Sequence, residues 1–252
     1  MKISRLNAIE QHILLNETVK IDDLCEIFTV SKNTIRRDLN ELETRGHIAK
    51  VYGGVTAVKP KDIIPVPVRN NLNASSKVCI AELASKLVND GDTIFIDSGS
   101  TVVNMVEYLS LKNKITIITH SLNVVSQASK FPNINIIGLG GVFLPTTGSF
   151  VGLSTLETLD SIKINKAFMA ASGVSIDGGL SNNTFLEAEI KKKIASRSKE
   201  IHLLCDATKI NSDATVSFCC LKELTTLITD KKPDDVYIDY CKANNINLIY
   251  SF

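Results

Sequence analysis

Apolar positions recur at helical spacing through the first forty residues. Leu6, Ile9 and Ile13 fall at i, i+3 and i+7, which predicts the buried face of a first helix. Ile21, Leu24 and Phe28 predict a second, with Asp22 placed to cap it. Thr29-Val30 makes a tight connection, and Ser31 has the side chain of an N-cap. Ile35, Leu39 and Leu42 form the stripe of a third helix, which Gly46 ends. His47 to Val51, the Gly53-Gly54 turn and Val55 to Val58 then read as a hairpin.

Helix, helix, short turn, helix, hairpin is the order of a winged helix-turn-helix. Further along the period changes. Thr93–Ile96, Ile115–Ile118, Ile134–Ile137 and Ile201–Leu204 are short, β-branched or apolar runs, as suits strands buried on both faces of a parallel sheet. Between them lie helical patterns at Ile80, Leu83, Leu87, at Val102 to Leu109, at Leu122 to Lys130 and at Leu186, Ile190, Ile194. Repeated strand–helix–strand units predict an open, largely parallel α/β sheet. Three of the six prolines, Pro60, Pro65 and Pro67, fall beside Lys59, Lys61 and Asp62. Proline fixes its own dihedral and pushes its predecessor to extended geometry, so residues 59–71 read as a linker between domains at 1–58 and 72–252.

Composition narrows the partners. Among 252 residues, 28 Lys+Arg balance 27 Asp+Glu to a net charge of +1, which excludes a uniformly basic nucleic-acid coater. A polyanion must be met by a patch. The six cysteines are scattered without C-x-x-C, as expected of reduced thiols in a cytoplasmic protein rather than a zinc site. No apolar run is long enough to span a bilayer, and charged residues among the first twenty fit neither a signal nor a transit peptide. No P-loop, H-E-x-x-H or G-x-S-x-G occurs. No catalytic residue, metal or cofactor is therefore expected.

On the third helix Asn33, Arg36, Arg37 and Asn40 fall opposite the apolar stripe, with Lys32 at the edge of the first turn. Arginine grips guanine bidentately, asparagine does so with adenine, and both reach phosphates. A merely solvated face is the competing reading, since residues 1–58 hold eight basic and eight acidic side chains. Placement separates the two: Lys32, Arg36 and Arg37 precede Asp38, Glu41 and Glu43, so the leading end is the basic one. The stretch Val30-Ser31-Lys32-Asn33-Thr34-Ile35-Arg36-Arg37-Asp38-Leu39-Asn40-Glu41-Leu42 resembles the V-S-x-x-T-I-R-R-D-L-x-x-L signature of the DeoR family of bacterial transcriptional regulators. Gly46 to Val55 is similar to that family's G-x-[LI]-x-[RK]-x-x-G-G-[AV] wing. The resemblance implies a helix-turn-helix over about Lys20 to Leu39, reading the major groove through Ser31, Lys32, Asn33, Thr34, Arg36, Arg37 and Asn40.

In the second domain, Asp97-Ser98-Gly99-Ser100-Thr101 sits between a strand and a helix, where glycine permits a tight turn and Ser100 and Thr101 offer hydroxyls beside free N–H groups. Thr119-His120-Ser121 and Gly138-Leu139-Gly140-Gly141 follow the next two strands, and loops at strand carboxyl ends should converge. Glu187 and Lys191 are i, i+4, the spacing of an ordinary surface ion pair. Asp206-Ala207-Thr208-Lys209 places a lysine over the same edge.

From about Lys77 to Asp230 these blocks resemble the DeoR-type sensor domain, which is similar in fold to ribose-5-phosphate isomerase and Rossmann-like. The expected effector residues are Asp97, Gly99, Ser100, Thr101, Thr119, His120, Gly141, Glu187, Lys191 and Lys209. The G-S-T turn would hold a phosphate, and Lys209 would touch sugar or phosphate. His120 has two readings, a donor to a ligand oxygen and a packed histidine. Tyr52-Gly53-Gly54-Val55 and Asp97 to Val102 are most similar to glucitol- or galactitol-type repressors. One departure bears on chemistry: the isomerase-like D-G-x-D segment reads Ser172-Gly173-Val174-Ser175, without either carboxylate. The resemblance implies a regulator, most simply a repressor, of a sugar or polyol catabolic operon. Its partners would be operator DNA, a small phosphorylated sugar and further copies of itself as dimer or tetramer, with no membrane. The alternative is a phosphosugar isomerase or hydrolase carrying a DNA-binding appendage.

Overall fold

A computed structural model describes residues 5, 6, 8, 9, 12, 13, 16, 18–44, 48–51, 54–57 and 66–251. The chain divides between residues 62 and 63 into two units.

In the smaller unit the three predicted stripes meet. Leu6, Ile9, Ile13, Leu24, Ile35, Leu39 and Leu42 are all fully buried in one cluster, joined by Ile48 and Val55. Helices span Ile21–Phe28 and Lys32–Thr44. The turn between them closes through Thr29, at φ 51°, and the Val30 N–H donates to Cys25 O. Ser31 caps the second helix, its Oγ accepting from Thr34 N at 3.3 Å. Asp22 does not cap the first: Lys20 holds the N-cap position, and Asp22 lies in the first turn, 2.6 Å from Lys32 Nζ. Gly46 and Gly53 lie outside the described residues. The hairpin is β2 (Ile48–Val51) with β3 (Gly54–Ala57), and β1 (Thr18–Lys20) pairs with β3 from its other side. A three-residue strand with one buried side chain, Val19, is too short to show a period.

The larger unit is built on β4 (Thr93–Ile96), β5 (Ile115–Thr119), β6 (Ile134–Gly138), a hairpin of β7 (Val142–Leu144) and β8 (Ser149–Val151), then β9 (Ile164–Met169). There follow β10 (Gly173–Ser175), β11 (Gly179–Asn182), β12 (Ser198–Leu204), β13 (Val216–Cys219), β14 (Thr226–Thr229) and β15 (Asn247–Tyr250). Seven of these form one parallel sheet in the order β15-β14-β12-β9-β4-β5-β6. β10, β11 and β13 make a small antiparallel sheet beside it.

Alternate residues of the central strands feed two cores. Ile94, Ile96, Ile117 and Phe168 pack with Ile80 and Ala84 of the Ala74–Ser85 helix; Phe95, Ile118, Ala167 and Met169 pack with Ile190 and Ile194 of the Phe185–Arg197 helix. Both faces are covered, which explains the unbroken apolar runs. Winding runs outward from β4 through β5 to β6, then restarts on its other side with β9. The point of reversal opens a crevice between the carboxyl ends of β4 and β9, where open α/β sheets bind ligands.

The stretch expected as a linker contains a helix, Val66–Asn71, with Pro67 in its first turn, where the missing N–H costs nothing. All six cysteines are unpaired; burial pushes the Cys205 thiol up and the Cys219 thiol up to about 12, so neither is a ready nucleophile. No described helix is long and apolar enough to cross a membrane.

Candidate DNA interface and effector site

The Lys32–Thr44 helix buries Ile35, Leu39 and Leu42 and turns Ser31, Lys32, Asn33, Arg36, Arg37 and Asn40 to solvent, with Thr34 half-buried. Thr34 is engaged at the cap, its Oγ1 2.9 Å from Ser31 Oγ. Asp38, the acid nearest the two arginines in sequence, is buried and takes Arg5 bidentately, Nε at 2.8 Å and Nη2 at 3.3 Å. Its charge is spent inside the unit. Arg36 and Arg37 make no ion pair among the described residues, so their guanidinium groups stand open for phosphate or base edges.

At the switch point of the larger unit, Asp97 follows β4 and is fully buried. Its Oδ1 accepts from Ser98 N at 2.8 Å and lies 3.1 Å from His120 Nε2. Its Oδ2 accepts from Ala170 N at 2.9 Å and meets Lys191 Nζ at 2.8 Å. Burial alone would raise the Asp97 carboxyl; Lys191 and His120 overcome it and hold the group well below the ordinary carboxylate range. Lys191 also donates to Ala170 O at 2.8 Å, tying the end of β9 to the loop after β4. Gly99 completes the join: a Cβ there would stand 2.3 Å from Ala170 Cβ.

His120 is the packed histidine of the two readings. It is fully buried, with Nδ1 3.1 Å from Phe150 O and Nε2 on Asp97, so both ring nitrogens are occupied. Thr119 is likewise internal, donating to Ile96 O at 2.7 Å and accepting from Ser121 N at 3.0 Å. Gly141 sits at φ +146°, and a Cβ would come within 2.5 Å of Val151 O, so hairpin packing alone demands glycine.

Glu187 and Lys191 are buried and do not pair with each other, so the surface ion pair that their spacing would allow is not formed and each has its own buried partners. Thr184 caps the helix that carries them. Glu187 Oε1 accepts from Ser98 Oγ at 3.4 Å and Ser149 Oγ at 3.2 Å; Oε2 accepts from Asn182 Nδ2 at 3.0 Å and Thr184 Oγ1 at 2.9 Å. Ser172 joins through Asn182 Oδ1, to which it donates at 3.1 Å. Ser100 and Thr101 lie nearly buried in the loop, and Thr101 makes no side-chain cap of the turn that follows.

Three cations lie within electrostatic reach of one another, Arg69 and Lys209 each beside Lys77, and Arg69 also near Glu187 and Asp97. Lys209 ends the short Ala207–Lys209 turn after β12. Lys77 is buried and donates to the carbonyl of Arg69. Burial lowers the Lys77 ammonium, Asp206 opposes that, and the positive charges of Lys209 and Arg69 lower it further. Burial also lowers Arg69, against the pull of Glu187 and Asp97. The Nε of Arg69 is buried without a hydrogen-bond partner. An unmade bond on a charged donor is costly and marks a place where an acceptor is wanted.

Two family models account for both units: the DeoR-like helix-turn-helix domain matches residues 5–61 and the DeoR C-terminal sensor domain residues 72–231. The chain belongs to the DeoR family of transcriptional regulators. Among its relatives in that family, the HTH-type transcriptional regulator IolR of Bacillus subtilis is 40% identical over 98% of this chain and 99% of its own. A lactose phosphotransferase system repressor of Staphylococcus epidermidis is 33% identical, covering 91% and 92%. GolR of Listeria innocua is 31% identical over 90% of each. Among solved structures, a D-ribose-5-phosphate isomerase in complex with phospho-erythronic acid is similar over 54% of each chain, with 19% identity and a TM-score of 0.41. That likeness carries no functional weight.

For a DeoR-family chain the site divides in an unexpected way. Of the residues expected to contact a ligand, Asp97, His120 and Lys191 satisfy one another, and Thr119 is bonded to Ile96 O and Ser121 N in the same wall. Arg69 and Lys77 were not among the expected effector residues, Arg69 because it lay in the proline-rich stretch. No local pattern marks an arginine whose neighbours arrive from strands far along the chain.

Proposed function

We propose that this regulator is a repressor of a sugar or polyol catabolic operon, with operator affinity set by a phosphorylated sugar held in the crevice between β4 and β9. The observation that carries the reading is the cluster of Arg69, Lys77 and Lys209 over that crevice, with Arg69 Nε buried and unpartnered. A phosphate there would complete the arginine's hydrogen bonds and relieve the repulsion among the cations. The Ser98-Gly99-Ser100-Thr101 loop is pinned by Gly99 against Ala170 and presents Ser100 and Thr101 beside it. The Asp97–Lys191–His120 core keeps β4, β9 and the β7–β8 hairpin in register, so a ligand pulling on the loop moves a connected body.

Switching follows from linkage. An effector that binds the free protein more tightly than the DNA-bound form lowers operator affinity by the same factor, typically 5- to 150-fold for a coupling of about 1–3 kcal/mol. The protein does this in the cytoplasm and without turnover. An isomerase needs a base free to take a carbon-bound proton. Glu187 already accepts four hydrogen bonds, and Ser172 and Ser175 stand where carboxylates would be needed, bonded instead to Asn182 and Asp213.

Thermal-shift and calorimetric titrations against a panel of sugar phosphates and their unphosphorylated counterparts test the reading. A phosphorylated sugar should raise the melting temperature where its parent sugar does not, and Arg69→Ala should remove the effect. Stabilisation by the unphosphorylated sugars alone would contradict it.

A further inference from the structure

One face of the larger unit departs from the way soluble proteins protect themselves. β6 closes one edge of the seven-stranded sheet, with its outer row of backbone donors and acceptors unpaired by any strand. Edge strands are ordinarily guarded by charged side chains, prolines or bulges. Here residues 131–156, which hold β6, the β7–β8 hairpin and the start of the next helix, contain no Asp, Glu, Lys or Arg at all. The same stretch exposes large apolar side chains: Leu153 at 77%, Val142 at 66%, Ile137 at 40% and, beside them, Phe143. Leu122 adds to the group, its N–H donating to Gly148 O of the hairpin. The opposite edge, β15, leaves none of Leu248, Ile249 and Tyr250 exposed.

We propose that this face, β6 with the β7–β8 hairpin, is where a second copy of the chain docks. The commitment to a second copy rests on charge. A twofold interface sets a patch against itself, so any charge near its axis meets its own like. A face without charges across 26 consecutive residues suits self-pairing, and offers nothing to steer a charged partner. At its centre Phe143 packs on Phe150 with ring centroids 5.2 Å apart, an aromatic pair of the kind that anchors interfaces. A stable dimer buries roughly 800 Å² per partner, more than exposed side chains scattered singly would supply. The hairpin is also wired inward: Phe150 N donates to His120 O at 2.8 Å, and Ser149 Oγ donates to Glu187. Motion at the crevice would therefore reach the dimer face.

The test is sedimentation of the full chain without DNA or effector, so that its outcome is independent of the sensing reading. Wild type should be dimeric at micromolar concentration. Val142→Lys with Leu153→Lys should weaken the dimer by at least about 30-fold, the equivalent of a hot-spot loss, with unchanged far-ultraviolet circular dichroism. Val236→Lys, an exposed apolar position on the Asp235–Ala243 helix, should leave it dimeric. A monomeric wild type, or a double variant as dimeric as wild type, overturns the proposal. Should the double variant not fold, hydrogen exchange of wild type decides. Protection of the Ile134–Gly138 and Val142–Leu144 amides should rise with concentration through the dimer transition, and protection that stays constant there overturns it.

Discussion

The two functional regions of this protein are built in opposite ways. On the Lys32–Thr44 helix, the DNA-facing side chains sit on one regular element: the buried stripe holds the helix, and the side chains opposite face solvent. In the crevice, polar side chains come together from β4, β5, β9, β12 and two helices, and most of them are consumed by one another. Polarity outside the core is available by default. Polarity inside it must first be satisfied, and only what remains unsatisfied can serve a ligand.

Removing a member of the crevice wall should therefore have the largest effect on folding. Asp97→Ala would leave Lys191 buried without its partner, an expected loss of about 3–5 kcal/mol from the larger unit, read by urea denaturation. The helix-turn-helix unit should be unaffected in its own signal. The same pair makes the unit acid-sensitive. Asp97 is held below its unfolded value, so its contribution is present above about pH 4 and lost as pH falls towards the native value. A variant that unfolds with wild-type midpoint would mean the wall is not held by this pair.

His202 sharpens the contrast between satisfied and unsatisfied burial. It stacks on Phe168 at 4.8 Å and has no hydrogen-bond partner at either ring nitrogen, Glu200 lying 3.3 Å away but out of line. Burial, then Lys166, lowers its pKa from 6.5 to about 4. The unfolded chain thus takes up a proton that the native one refuses, and stability should fall by about 2–3 kcal/mol as pH drops from 6.5 to 4. His202→Leu should flatten that slope in denaturation measured at each pH; an unchanged slope would place its origin elsewhere.

The two arginines of the DNA-reading helix come next. Arg36→Ala and Arg37→Ala should each cost about 1–3 kcal/mol of operator binding if they read bases, or reduce the salt slope by about one if they contact phosphate. Neither should change stability by more than about 0.5 kcal/mol, since both lie on the exposed face. Fluorescence anisotropy across a salt series separates the cases, and unchanged binding in both variants would remove this helix from the interface.

That contrast also explains what was legible in the sequence. The stripe of Ile35, Leu39 and Leu42 and the capping Ser31 are local patterns, and the helix they imply is the helix observed. The strands at Ile94 and Ile117 showed as apolar runs because both of their faces are covered, and β6 showed the same run although Ile137 is exposed at the sheet edge. β9 did not, although it is central: Lys166 interrupts its run, and nothing nearby reveals that its ammonium is held by Leu87 O at 2.8 Å and Asp92 at 2.7 Å. At the site, Asp97, Glu187 and Lys191 were found as chemistry-bearing residues, but their partners were not. Glu187 and Lys191, one helical turn apart, looked like a pair because spacing is visible in a sequence; Asp97, ninety-odd positions away from Lys191, is not. Arg69 was hidden in a proline-rich stretch read as a linker, where the structure has the helix Val66–Asn71.

On the proposed reading the effector meets the cationic rim and not the self-satisfied wall. Operator affinity of wild type and Lys209→Ala, each with and without the sugar phosphate that most stabilises wild type, tests it most directly. Lys209→Ala should bind operator as wild type does without effector, keep its stability within about 0.5 kcal/mol, and fail to release DNA when effector is added. A Lys209→Ala protein that releases DNA at the wild-type effector concentration would contradict the account.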